Sequence, residues 1–244
     1  CCLPGASETE LYGRLQGLLL SRGSREAFPM ILSRRGEVLH NHTHDQILRQ
    51  GDLLLVDSGV CSKFGYASDI TRTLPVGGAF TPRQRDIYEI VLHAQAVGIA
   101  CMAPGIPFLD CHLAAARVMV EGLSALGLMR GNPDVAVAAG AHALFCPHGL
   151  GHMLGLDVHD MESLGEDNVG YDQEFRRSGQ FGLSGLRMAR RLRPGFVVTV
   201  EPGIYFIPDL IRLWREQGRH EEFIDYDALE PYLDFGGIRI EDDV

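Results

Sequence analysis

The sequence predicts a mixed α+β fold with a weak internal duplication, and three observations predict it. Helix-period and strand-like segments run in the order helix, hairpin, two helices, a histidine-rich segment, hairpin, which is not the regular alternation of a doubly wound fold. A Pro-Gly opening recurs a hundred residues apart, as "PGASETELYGRLQGLLL" from Pro4 and "PGIPFLDCHLAAARVMVEGLSALG" from Pro104, with Asp110 where the first copy has Glu10. The chain has 244 residues, 45 % of them apolar, enough for one large domain or two small ones with a sizeable core.

In the first helix, Ser7 and Glu10 are spaced as a capping box. Leu11, Leu15, Leu18 and Leu19 supply its apolar stripe. "DLLLVDSGV" and "YASDITRTLPV" flank a short turn around Lys63 to Gly65 and predict a hairpin. "TPRQRDIYEIVLHAQAVGIACM" predicts a helix capped by Thr81, with Pro82 in its first turn. The second Pro-Gly helix follows. Residues 167–193 read as polar loop, as do 207–235, except that "DLIRLWREQGR" suits a short helix. "GFVVTVEPGIYF" and "GGIRIEDDV" predict the second strand pair.

Composition narrows the function. A formal charge of −10 argues against binding a phosphate backbone. No run approaches the roughly 18 apolar residues a membrane helix needs; the richest stretch, Val135 to Cys146, is broken by Gly140 and His142. Six cysteines without a C-x-x-C pair read as free thiols in a reducing cytoplasm. The start at Cys1 and the stop at Val244 read as residues 1–244 of a longer protein, cut at both ends.

The acids carry the chemistry. A hairpin turn centred near Lys63 sets Asp57 opposite Asp69, and directly opposed side chains lie about 4.5–5.5 Å apart at Cβ. Leu53, Leu55 and Asp57 share a face, so the aspartate closes an apolar row. Glu201 likewise closes "FVVTV", and Glu241 follows "GGIRI". Buried like charges are costly unless one protonates or a cation lies between them. Four such acids call for two divalent ions, and an added imidazole shifts the preference toward Mn, Fe, Co or Zn. Removing one acid, as in Asp57→Asn, is then expected to relieve repulsion and slightly stabilise the metal-free domain. "HGLGHMLGLDVHD" offers His148, His152 and His159 as the source of that imidazole, and spacing alone does not choose among them. Its glycines would let this backbone pack close to other strands.

Four segments, "VDSGVCSKFGYASDITRT", "HGLGHMLGLDVHD", "TVEPGIY" and "GGIRIEDDV", resemble the signatures of the Xaa-Pro metallopeptidases, prolidase and aminopeptidase P. The resemblance runs from about residue 4 to 244. It implies the pita-bread fold, two α+β halves related by a pseudo-twofold. It places five metal ligands on Asp57, Asp69, His152, Glu201 and Glu241, holding two divalent ions, manganese first, with Co, Zn or Fe as alternatives. It makes His148 and His159 contacts to substrate or to the tetrahedral intermediate, His40 a further active-site histidine, and Glu201 a proton shuttle to the leaving proline nitrogen. His42 and His44 match nothing in it and read as solvent-facing. Arg239 shares a strand face with Glu241 and would pair with a ligand carboxylate or with substrate. Arg187, in "GLSGLRMARRL", resembles the prolidase arginine that binds the free carboxylate of a dipeptide; the alternative is a solvated member of the basic run with Arg190, Arg191 and Arg193. The implied substrate is a dipeptide or short peptide with proline second, prolidase-like, with aminopeptidase P action on longer peptides as the alternative. The family's N-terminal domain is absent from this sequence, and the full-length protein is expected to be a homodimer. Methionine aminopeptidases have a shorter histidine segment and creatinase uses no metal. A non-catalytic peptide-binding pita-bread domain would have lost ligands, and none is lost here.

Overall fold

A computed structural model describes residues 2–244. Its elements are α1 (Glu8–Ser21), β1 (Arg25–Glu26), β2 (Ile31–Ser33), β3 (Leu53–Ser58), β4 (Val60–Cys61), β5 (Ile70–Pro75), α2 (Pro82–Cys101), α3 (Phe108–Ala125), α4 (Pro133–Ala139), α5 (Glu166–Gly170), β6 (Thr199–Val200), β7 (Gly203–Tyr205), α6 (Pro208–Glu216), β8 (Gly237–Arg239) and β9 (Asp242–Asp243). The class is α+β, as predicted. The two Pro-Gly turns share a backbone feature, since Gly5 and Gly105 both take positive φ, 90° and 89°.

Capping follows the sequence in part. Thr81 and Gln84 form a full capping box on α2. Ser7 accepts from the Glu10 amide, but the Glu10 carboxylate pairs with Arg14 at 2.6 Å, so the reciprocal half of that box does not form. Of the α1 stripe, Leu11 is buried while Leu18 is 51 % exposed, because only the start of the helix reaches the core beneath it.

β2, β3 and β5 form an antiparallel sheet with β3 central, and β1 pairs with β4. The register corrects one expectation: Asp57 lies opposite Thr71, not Asp69. The hairpin is centred on Phe64, one residue beyond Lys63, so Asp69 becomes a diagonal neighbour of Asp57. A slip of two paired positions preserves the face, because side-chain alternation has period two. At the other strand pair, β6 with β9 and β7 with β8 keep one common register, which sets Glu201 across from Glu241.

The main core lies between the antiparallel helices and the second strand pair. Ile87, Val91 and Ala94 of α2 meet Ala115, Met119 and Leu123 of α3, with Val200, Ile204, Ile238 and Ile240 beneath them. Full burial of such a side chain contributes roughly 1.5–3 kcal/mol. A smaller core under α1 gathers Leu11, Met30, Leu32, Leu48, Leu54 and Val76. Among the described residues no helix is long and apolar enough to cross a membrane. The five described cysteines are free thiols.

Two core histidines make the fold acid-sensitive. His112 and His142 are 2 % and 1 % exposed, with rings 6.0 Å apart edge to face. Burial, with other imidazoles nearby, pushes their pKa values down to about 3 and about 4. The unfolded chain takes up these protons first, so their contribution is complete above about pH 6.5 and is lost as pH falls toward 4. Urea unfolding at pH 7 and pH 5 should differ by roughly 2 kcal/mol for each histidine. His112→Phe combined with His142→Leu should shrink that difference; an unchanged difference would show that the two imidazoles do not cause it.

Candidate metal centre

The first acid stands on β3, the second just before β5, Glu201 in the link between β6 and β7, and Glu241 in the link between β8 and β9. Asp57, Asp69 and Glu241 are 8 %, 6 % and 1 % exposed. The histidine segment crosses beside them. A Cβ on Gly151 would sit 1.9 Å from the Thr199 carbonyl oxygen, so only glycine lets this backbone lie against β6. The His152 amide then donates to Thr199 Oγ1 at 3.1 Å and brings its ring, 3 % exposed, to the acids.

His152 Nδ1 donates to the Met153 carbonyl at 3.0 Å, which leaves the Nε2 lone pair facing the acids. Nε2 lies 3.5 Å from both Asp69 Oδ2 and Glu201 Oε1. Ligand atoms of Asp69, His152 and Glu241 all fall within 4.8 Å of one another. Oδ1 of Asp57 and Oδ1 of Asp69 are buried without a hydrogen-bond partner. Orphaned carboxylate oxygens, one aimed imidazole lone pair and mutual repulsion are what an oxygen-rich divalent cation site presents. The donor set therefore fits a divalent metal.

The electrostatics agree. Burial, with Asp57 and Glu201 adding repulsion against the opposing His152, pushes Asp69 up to about 7. Glu241 is held far above the usual carboxylate range by burial and then by Glu201, Asp69 and Asp57. Burial works against the His152 cation, but the Asp69 and Glu201 carboxylates outweigh it and raise its pKa. Metal-free, the cluster holds protons where a cation would sit.

Arg239, 4 % exposed, is the buried counter-charge. Its Nη2 donates to Asp57 Oδ2 at 2.6 Å, its Nη1 to Tyr205 Oη at 3.0 Å and its Nε to Thr71 Oγ1 at 3.3 Å. Of the two partners the sequence allowed, the ligand carboxylate is the one it meets. Thr71 Oγ1 in turn donates to Glu241 Oε2. Tyr205 Oη donates to His148 Nε2 at 2.9 Å, while His148 Nδ1 donates to the Gly149 carbonyl at 2.7 Å. Burial keeps His148 neutral by lowering its pKa. His159 stands with its ring centroid 4.4 Å from that of His152, and burial and then the His152 charge push it down to about 3.

All ten candidate residues, His40, Asp57, Asp69, His148, His152, His159, Arg187, Glu201, Arg239 and Glu241, line one cavity of about 340 Å³. His42, read as solvent-facing, is exposed but also lines it. His44 corrects that reading outright: it is half-buried, stacked on Tyr12 at 4.4 Å, with Nδ1 3.1 Å from the Leu32 carbonyl. Arg187 is not a solvated member of its basic run, since Glu162 and Glu166 engage it.

Sequence reading passed over Tyr205 and Thr71. The signal for Tyr205 was the pair of glycines facing it: a Cβ on Gly203 would lie 2.3 Å from Tyr205 Oη, and one on Gly237 2.4 Å from its ring.

A cluster of four carboxylates, three of them buried, and a buried imidazole, set between two antiparallel strand pairs, defines a metal-centre protein of the pita-bread class. Residues 1–244 match metallopeptidase family M24, and the chain belongs to that family. It is 40 % identical to a probable Xaa-Pro aminopeptidase of Fusarium vanettenii, over 96 % of this chain and 49 % of that protein. It is 38 % identical to the Xaa-Pro dipeptidase of Homo sapiens, over 98 % of this chain and 49 % of that protein. Among solved structures it resembles Pseudomonas aeruginosa aminopeptidase PepP, with a TM-score of 0.78 and 36 % identity over 100 % of this chain and 48 % of that one. Escherichia coli aminopeptidase P in complex with substrate gives a TM-score of 0.77 and 37 % identity, over 99 % of this chain and 47 % of that one. The chain thus spans about half the length of the relatives it matches.

Proposed function

We propose that residues 1–244 form the catalytic domain of an Xaa-Pro peptidase that hydrolyses the bond before a proline in second position. The observation that carries this reading is the convergence of Asp57, Asp69, His152, Glu201 and Glu241 on one cavity that also presents His40, His148, His159 and Arg187. The five would hold two divalent ions, Mn or else Co, Zn or Fe, which when bound supply Lewis-acid polarisation and a water acidified toward neutral pH.

The chain's own residues do the rest. Glu201 is the least enclosed of the four acids, its side chain 19 % exposed, so it is placed to take a proton and pass it to the leaving proline nitrogen. Neutral His159 offers a hydrogen bond to the scissile carbonyl as charge develops there, whereas His148, with both ring nitrogens engaged by the Gly149 carbonyl and Tyr205, would contact substrate only by exchanging one of those partners for it. His40 borders the same cavity from the loop after β2 and would act on substrate at its rim. Arg239 balances Asp57 and fixes Tyr205, so its part is to hold the site and not to grip substrate. Arg187 would receive the free carboxylate of a dipeptide, a task its planar fork suits.

Arg187 separates dipeptidase from aminopeptidase action. Arg187→Ala should cut kcat/KM for Gly-Pro by about tenfold to a hundredfold. Lysine should restore only part of it, since a point charge lacks the fork. A Gly-Pro-containing tripeptide carries its carboxylate one residue further out and should be affected far less. Equal losses on both substrates would assign Arg187 to the site's structure, and no loss on either would favour action on longer peptides.

A further inference from the structure

We propose that Glu162 is a positioning residue for substrate recognition, orienting the Arg187 guanidinium so that its Nε–Nη2 edge is presented to a substrate carboxylate. The inference deepens, and rests on, the reading of Arg187 as the carboxylate clamp.

The geometry lies in which nitrogen is engaged. Arg187 Nη1 donates to Glu162 Oε2 at 2.5 Å and to Glu166 Oε2 at 3.3 Å. Both acids take the same nitrogen, and among the described residues no hydrogen bond engages Nε or Nη2. A guanidinium binds a carboxylate through two parallel N–H groups, and the Nε–Nη2 edge is one such fork. The acids therefore anchor one corner of the group and leave a complete fork.

Glu162 does so from behind. Arg187 lines the cavity that holds the metal-centre acids, whereas Glu162 lines a neighbouring cavity of about 510 Å³ that shares Val158 and His159 with the first. The Glu162 side chain is 13 % exposed, so its bond to Arg187 is poorly screened, and it reaches the arginine without entering the substrate space. Met161, just before it, takes a φ of 60°, a left-handed backbone that costs a non-glycine residue energy and here turns the chain so that Glu162 faces Arg187.

The other side of Arg187 is braced too. Arg177 pairs with Glu166 and Asp167 and donates to the Ser184 and Leu186 carbonyls, and Tyr171 Oη donates to the Leu186 carbonyl at 2.5 Å. The backbone before Arg187 is thus fixed, and the remaining freedom is that of its own long side chain. Ordering such a side chain in advance lowers the entropy lost when substrate binds.

The test is steady-state kinetics of the full-length, metal-loaded protein with Gly-Pro and a Gly-Pro-containing tripeptide. Glu162→Ala should raise KM for Gly-Pro about tenfold, with kcat within about twofold and a much smaller change for the tripeptide. Glu162→Gln keeps an acceptor for Nη1 and should recover most of the loss; it also serves if the alanine variant melts early. A lowered KM in Glu162→Ala would overturn the proposal by making Glu162 a competitor for the arginine. A fall in kcat at constant KM would overturn it by placing the effect on His159, 3.8 Å away. Equal losses in the alanine and glutamine variants would likewise overturn it. If Arg187→Ala itself leaves Gly-Pro hydrolysis intact, the clamp reading fails; if Arg187→Ala is selective and Glu162→Ala is silent, only the role of Glu162 fails.

Discussion

Asp57→Asn and Asp69→Asn should both abolish the proposed peptidase activity while moving the stability of the metal-free protein in opposite directions. Each removes a carboxylate from the proposed metal centre, so loaded enzyme should not form and turnover should fall to background. The metal-free proteins differ because the two acids have different partners. Asp57 balances Arg239, a guanidinium 4 % exposed. An amide there removes the carboxylate hydrogen-bonded to that buried charge, at a cost of about 3–5 kcal/mol. This reverses the expectation from sequence, which weighed the repulsion among the four acids without setting Arg239 against Asp57. Asp69 bears repulsion and burial, and its pKa is pushed up from 3.8 to about 7. Its ionisation therefore penalises the folded state progressively as pH rises from about 4 to 7. Asn removes that penalty, so metal-free Asp69→Asn should gain on the order of 1–3 kcal/mol at pH 7 and little at pH 4. Urea midpoints of the two metal-free variants at both pH values decide it. Shifts of the same sign at pH 7 would mean that the Arg239–Asp57 pair does not distinguish them.

His148→Ala and His159→Ala should retain the metal and lose about 10²–10⁴-fold in kcat. His152 Nε2 faces Asp69 and Glu201 at 3.5 Å, whereas both ring nitrogens of His148 are engaged by Gly149 and Tyr205, and His159 Nδ1 faces Glu162. His152→Ala should therefore lose the metal along with activity. Tyr205→Phe should give a milder form of the His148 effect. It removes the hydroxyl that donates to His148 Nε2 and accepts from Arg239, yet it leaves the ring packed against both glycines. Metal analysis beside kinetics separates these cases. A metal-free His148→Ala or His159→Ala protein would mean that the ligand histidine is wrongly assigned.

Asp57, Glu201 and Glu241 were legible in the sequence because each closes an apolar strand row within one segment, and Asp69 because hairpin pairing brought it to the side of Asp57. The register was legible only in its face: centring the turn on Lys63 instead of Phe64 moved the partner of Asp57 from Thr71 to Asp69 without changing side. The choice of His152 was not legible from spacing, since it depends on where Gly151 lets the segment lie against Thr199. Thr71, Tyr205 and Glu162 act through contacts far apart in sequence, such as Thr71 with Glu241 and Tyr205 with His148. No local pattern encodes those. β1, β2 and α4 went unread because two-, three- and seven-residue elements carry too little periodicity to register.

The central claim is that this chain holds a dinuclear metal centre on Asp57, Asp69, His152, Glu201 and Glu241. Elemental analysis of protein reconstituted with Mn and freed of excess ion tests it most directly. The expected result is about two ions per folded chain, reduced in Glu241→Gln and unchanged in Arg187→Ala. A wild-type protein that is folded by circular dichroism yet retains no divalent ion would contradict the claim.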